Sequence, residues 1–187
     1  MKLQQLEGLI AAPFTPMKKD GALNLELIPE YYQFLKHNKI TGAFICGSTG
    51  EGVSLTLEEK KEVTGAWADC TKKDPDFKVM LLVGGTCIAD CIELAKQALQ
   101  SGIYAVSFTA PFYFKPADAR ALAACCKAIA DEVPEMPFYY YHIPVLNGCN
   151  VPMIDLLKEV DGQIPNFAGI KYTHEDFMDF LSCLHFQ

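Results

Sequence analysis

Short apolar runs alternate along this chain with longer segments whose apolar residues recur at helical spacing. The runs are Leu9–Phe14, Ala43–Cys46, Val79–Val83, Tyr104–Phe108, Phe138–Tyr141 and Phe167–Ile170. Their starts lie 25 to 36 positions apart, about the length of one strand–helix unit. Thr56-Leu57-Glu58-Glu59 has the form of a capping box and opens a helix over Leu57–Cys70. Ala89–Leu99 reads as a second helix, stopped in the left-handed region at Gly102. Ala117–Val133 closes before Pro134, Pro152–Val160 opens with a proline as first turns tolerate, and Glu175–Leu184 begins a further helix.

Six consecutive strand–helix units imply a parallel sheet with right-handed crossovers. Two architectures compete, an open doubly wound sheet and a (β/α)8 TIM barrel that is incomplete here. A doubly wound dinucleotide fold wants a glycine-rich turn after its first strand. Here that turn is Ala12-Pro13-Phe14-Thr15-Pro16, which cannot cradle a pyrophosphate. A full barrel takes roughly 250 residues. At about 32 residues per unit, 187 residues supply six of its eight units, a single partial domain over residues 1–187.

Composition narrows the function. Half of the residues are hydrophobic and 21% charged, which is globular. A net charge of −7 and a single arginine, Arg120, exclude nucleic acid as the main partner, and anionic membrane with it. An anionic substrate would have to be held by hydroxyls, backbone N–H groups or lysine. Eight cysteines occur without a C-x-x-C pair, and the four histidines lack ligand spacing, so no metal site is expected. Buried free thiols in a reducing cytoplasm are the expectation. No stretch approaches a membrane span, and the N-terminus has no apolar signal core.

Polar residues gather where strands end, which in a parallel barrel is the catalytic face. Gly47-Ser48-Thr49-Gly50-Glu51-Gly52 follows the second strand. Its glycines permit a sharp turn, its hydroxyls and a nearby helix N-terminus favour a carboxylate, and it lacks the lysine of a P-loop. Phe138-Tyr139-Tyr140-Tyr141-His142-Ile143-Pro144 follows, with Tyr139 and Tyr141 on one face and Tyr140 on the other; His142 reads as a hydrogen-bonded rim residue. Gly169-Ile170-Lys171-Tyr172-Thr173 ends the sixth strand and puts Lys171 and Thr173 on one face. Apolar neighbours disfavour an ammonium there and favour a neutral, nucleophilic amine.

These three motifs, in this order at strand ends, resemble the dihydrodipicolinate synthase / N-acetylneuraminate lyase superfamily of class I aldolases, which are (β/α)8 barrels. The resemblance spans essentially the whole chain. Synthases of the family usually carry an arginine soon after the proline of the second motif. Val145-Leu146-Asn147 stands here instead, which is similar to the sugar-acid branch. The resemblance implies Lys171 as Schiff-base lysine, Tyr141 as proton shuttle, Ser48 and Thr49 on the pyruvate carboxylate, and Thr173 lining the pocket. It implies a 2-keto acid sugar as substrate, cleavage of N-acetylneuraminate to N-acetylmannosamine and pyruvate, no cofactor, and a cytoplasmic homo-oligomer, tetrameric in relatives. Tyr113 matches a tyrosine that relatives lend to a neighbouring subunit. Another 2-keto acid, such as a 2-keto-3-deoxy sugar acid or the synthase substrate, is the alternative. So is an inactive barrel acting only through subunit association. Relatives continue through a seventh and eighth strand, so the resemblance also implies C-terminal truncation, an exposed pair of edge strands and feeble cleavage.

Overall fold

In the computed structural model, which describes residues 5–186, six parallel strands form one sheet in sequential order. The strands are β1 (Ile10–Ala11), β2 (Gly42–Ile45), β3 (Lys78–Leu82), β4 (Ala105–Phe108), β5 (Phe138–His142) and β6 (Phe167–Tyr172). The helices between and after them are α1 (Ile28–His37), α2 (Leu57–Thr71), α3 (Ile88–Gln100), α4 (Ala119–Ala130), the single turn α5 (Pro144–Asn147), α6 (Met153–Val160) and α7 (Phe177–Leu184).

Local chemistry sets most boundaries. The Thr56 hydroxyl accepts from the Glu59 N–H at 3.2 Å, while the Glu59 carboxylate accepts from the Thr56 N–H at 2.8 Å, completing the expected box at the head of α2. Asp118 accepts from the Ala121 N–H and starts α4 two residues later than expected. Gly102 stops α3 with φ +76°. β1 is shorter than the apolar run Leu9–Phe14 because Pro13 has no N–H for the ladder. Helix α1 is not among the helices expected from the sequence; Ile28, Tyr32 and Leu35 bury one helical stripe on it.

The sheet is curled. Neighbouring strands lie about 4.8 Å apart, so β2 and β6, four positions apart in the order, would stand roughly 19 Å apart if it were flat. Yet the Lys171 Nζ on β6 lies 4.4 Å from the centre of the Phe44 ring on β2. Six of the eight units of a (β/α)8 barrel therefore wrap around a lumen. Strand alternation gives the sheet two apolar faces. Outward, Ile45, Leu81, Val106, Phe108, Phe138 and Tyr140 pack beneath the helices with Trp67, Leu94, Leu122 and Ile129. Inward, Phe44, Met80, Leu82, Ala105 and Tyr141 fill the lumen.

The β5–β6 ladder contains one irregularity. Phe138 opposes Phe167 and Tyr139 opposes Gly169, so Ala168 is an extra residue, a bulge in the ladder. Beyond it Tyr141 opposes Lys171 and His142 opposes Tyr172. All eight cysteines are free; Cys46, Cys91, Cys126 and Cys149 are buried, while Cys87 is exposed just ahead of α3. No helix among the described residues is long and apolar enough to cross a membrane.

Candidate active site

Lys171 and Tyr141 are cross-strand neighbours on the lumen face near the C-terminal ends of β6 and β5. The lysine Nζ sits 3.6 Å from the centre of the tyrosine ring. The ring is in turn held edge-on against Phe44, with centroids 5.4 Å apart. Phe44 thus forms the floor under both groups. The sequence reading missed it, although period-two alternation already sets it opposite Ile45.

Burial alone pushes the Tyr141 phenol up. Hydrogen bonding from Ser48, followed by the hydrogen bond and charge of Lys171, more than offsets this, and the phenol ends below its ordinary value of 10. Tyr139, on the same face of β5, is pushed up to about 12 by burial and then by Tyr104. Two identical side chains on one strand are driven apart by their surroundings, the pattern that separates proton-transfer groups from structural ones.

The turn after β2 brings Ser48 to this phenol. Cys46, buried directly after the strand, takes φ +53°, which a non-glycine residue holds only where its surroundings impose it. The turn then closes so tightly that a Cβ on Gly52 would lie 1.8 Å from the Cys46 carbonyl oxygen. The Gly50 carbonyl accepts from the Thr15 hydroxyl at 2.7 Å, tying the turn to the loop after β1. The N–H groups of Ser48 and Thr49 donate to no carbonyl among the described residues, and both residues face solvent. That leaves two amides and the Thr49 hydroxyl for an anion, the single Ser48 hydroxyl hydrogen being committed to the phenol. The helix N-terminus expected to help is not available, because the Thr56–Glu59 box already satisfies the start of α2 and places a carboxylate there.

Thr173 donates its hydroxyl to the His142 carbonyl at 2.7 Å and stands two residues beyond Lys171 on the same face. Ser48, Tyr141, Lys171 and Thr173 therefore meet. Thr49 is adjacent to Ser48 but bonds to none of the others. Tyr113 lies apart on the loop after β4, 75% exposed and edge-on to Phe114.

His142 is not a hydrogen-bonded rim residue. Alternation turns it outward under the helices, 2% exposed, with its Nδ1 lacking a partner and its ring against Tyr172 and His174. Burial, then the neighbouring His174, lowers its pKa to about 4. A polar chain the sequence reading missed anchors β5 instead. Asn147 donates to the Thr109 hydroxyl at 2.8 Å, and Thr109 donates to the Tyr141 carbonyl at 3.0 Å. All three residues are buried, so this chain fixes the height of Tyr141 in the lumen. Its sequence signal is slight: Thr109 directly follows the run Tyr104–Phe108, and Asn147 follows Ile143-Pro144-Val145-Leu146.

A cavity of about 600 Å³ opens at the other end of the sheet, where β3 and β4 begin, between Lys72, Lys78 and Tyr104. Of its charged groups, Asp74 already accepts from Tyr32 and Lys36 at 2.5 Å. No cluster like that around Lys171 faces it.

Residues 5–185 match the dihydrodipicolinate synthetase family. The chain is 36% identical to N-acetylneuraminate lyase of Gallus gallus over 97% of its own length and 59% of that protein, and 37% identical to the Homo sapiens lyase over 97% and 57%. The solved N-acetylneuraminate lyase of Proteus mirabilis superposes with a TM-score of 0.94 at 34% identity, covering 98% of this chain and 61% of that one. The lyase (sialic acid aldolase) of Aliivibrio salmonicida gives 0.91 at 34%, covering 98% and 60%. The chain thus spans about three fifths of the length of these relatives. With its strand-end lysine and tyrosine on a shared lumen face and the Ser48 turn beside them, and with a match running from one end of the described span almost to the other, the chain belongs to the dihydrodipicolinate synthetase family.

Proposed function

We propose that this chain is a Schiff-base aldolase that reversibly cleaves N-acetylneuraminate to N-acetylmannosamine and pyruvate. The observation that carries the reading is the Lys171 amine poised 3.6 Å over the Tyr141 ring, inside the lumen at the strand ends. Relatives of that name at about 36% identity support the choice of sugar acid.

The free amine of Lys171 attacks the C2 ketone of the open-chain sugar acid, and loss of water leaves an iminium. Tyr141, as phenolate, removes the C4 hydroxyl proton. The C3–C4 bond then breaks, its electron pair flowing into the iminium to give an enamine, and the sugar leaves as an aldehyde. The phenol returns its proton to C3, and water hydrolyses the new iminium to release pyruvate and the amine. Ser48 holds the carboxylate through its amide and Thr49 through its amide and hydroxyl, while the Ser48 hydroxyl stays on the phenol and Thr173 lines the pocket beside it. The iminium is itself the electron sink, so the reaction asks for no metal or organic cofactor. We assign the chain to the cytoplasm and, from the family resemblance of its motifs, to a homo-oligomer of tetrameric type.

Borohydride reduction in the presence of pyruvate tests the reading. A pyruvate-derived mass is expected on the peptide carrying Lys171, and its absence from folded protein overturns the mechanism. Release of pyruvate from N-acetylneuraminate, set against a panel of 2-keto-3-deoxy sugar acids, tests the substrate.

A further inference from the structure

We propose that the bulge formed by Ala168 and Gly169 is the device that turns Lys171 into the lumen, with Gly169 as its positioning residue. This rests on the aldolase reading of Lys171 and extends it to a group that touches neither substrate nor reacting atoms.

The Phe167 ring packs against Phe138 in the outer layer, with centroids 6.3 Å apart. Strict alternation from there would put Gly169 and Lys171 outward with Phe167, and Ile170 and Tyr172 into the lumen. The strand does the reverse. Ile170 and Tyr172 pack in the outer layer, and Lys171 reaches Tyr141 and Phe44 inside. One extra residue between Phe167 and Gly169 resets the period, so an apolar residue faces the helices on both sides of it.

The backbone needed for this is specific. Gly169 takes φ +146°, a conformation essentially restricted to glycine. Space is not the constraint there, since a Cβ would meet Tyr139 Cε1 at 3.5 Å, ordinary contact. A methyl group at this position therefore tests the backbone conformation and not the packing. Removing Ala168 abolishes the need for it, because Phe167, Gly169, Ile170 and Lys171 then alternate regularly in the register already observed.

The experiment compares the full chain with Gly169→Ala, with deletion of Ala168, and with the two combined. Pyruvate–borohydride labelling of Lys171 should fall roughly tenfold or more in Gly169→Ala and return to within about threefold of the parent when Ala168 is also deleted. Titration of the Tyr141 phenol by ultraviolet absorbance, taken as the difference from Tyr141→Phe in each background, needs no chemistry. It should move up in Gly169→Ala and return in the combined variant. Unchanged labelling and titration in Gly169→Ala overturn the proposal, as does a combined variant that recovers neither. If Gly169→Ala fails to fold, the combined variant decides: folded and recovered supports the bulge, unfolded refutes it. A parent chain that takes no label while its titrations follow this pattern removes the aldolase reading and leaves the positioning assignment standing.

Discussion

Tyr139 and Tyr141 stand two residues apart on one face of β5, yet burial and Tyr104 raise the first to about 12, while Ser48 and Lys171 hold the second below 10. Proton transfer at the site is therefore expected from Tyr141 alone. Tyr141→Phe should lower kcat by roughly 10²- to 10⁴-fold while Lys171 still takes pyruvate and borohydride, and Tyr139→Phe should stay within a few-fold of the parent. With the phenolate as the proposed acting form, kcat should rise with pH towards the lowered value of Tyr141. That limb should vanish in Tyr141→Phe. Lys171→Met should abolish labelling altogether. His142 makes a separate prediction about stability. Its folded pKa of about 4 lies below the ordinary 6.5, so between these values the unfolded chain binds a proton that the native chain refuses. Stability is full above pH 6.5 and falls as the pH drops towards 4, by an amount of the order of 2 kcal/mol once solvent screening is allowed for. Urea unfolding of His142→Leu should lose that segment of the pH dependence. A parallel dependence in both proteins would contradict the assignment.

At the scale of elements, α6 depends on a residue from α7. The Asp179 carboxylate, buried, accepts from the Met153 and Ile154 N–H groups at 2.9 and 3.0 Å and from the Tyr172 hydroxyl at 3.0 Å. Pro152, which precedes α6, has no side-chain oxygen to cap it, so the cap comes from 26 residues away. Asp179→Ala leaves the Met153 and Ile154 N–H groups without an acceptor, while the Tyr172 hydroxyl keeps the Asp176 carbonyl at 2.8 Å; it should cost about 2 kcal/mol in chemical denaturation, against about 1 kcal/mol for Thr56→Ala at the locally capped α2. Equal effects would mean that α7 is not needed to hold α6. The comparison also shows which caps a sequence displays. Thr56–Glu59 is legible because its two halves lie three residues apart. Asp179 is not, because nothing local links it to Met153.

For the whole molecule, the sheet order leaves β1 and β6 as edges among the described residues. Beside the second edge, Phe177, Met178, Leu181 and Leu184 of α7 are exposed. An unpaired strand beside an apolar surface is a template for association. The chain is expected to associate with rising concentration, and sedimentation velocity over a hundredfold range checks this. A concentration-independent monomer with a sharp unfolding transition would contradict it. Association should leave the Lys171–Tyr141 pair in place, since both project into the lumen and away from the helices.

The order of strands, five of the helices (α2, α3, α4, α6 and α7), the parallel sheet and the grouping of Ser48, Tyr141, Lys171 and Thr173 at strand ends were legible in the sequence alone. Each depends on a local period or on a polar residue directly following an apolar run, and such signals survive without neighbours. Tertiary structure alone decided three further matters. Curling brings Phe44 from β2 under Lys171 from β6, a contact across four strands with no trace in local spacing. Alternation across β5 buries His142 under helices supplied by distant segments, where a rim position had been expected. Finally, Lys171 and Thr173 share a face by parity, but whether that face is the lumen or the helix layer turns on one extra residue, Ala168, whose register is set only when Phe167 and Ile170 both pack outward. A period states which residues travel together; burial against the rest of the chain states which way they point.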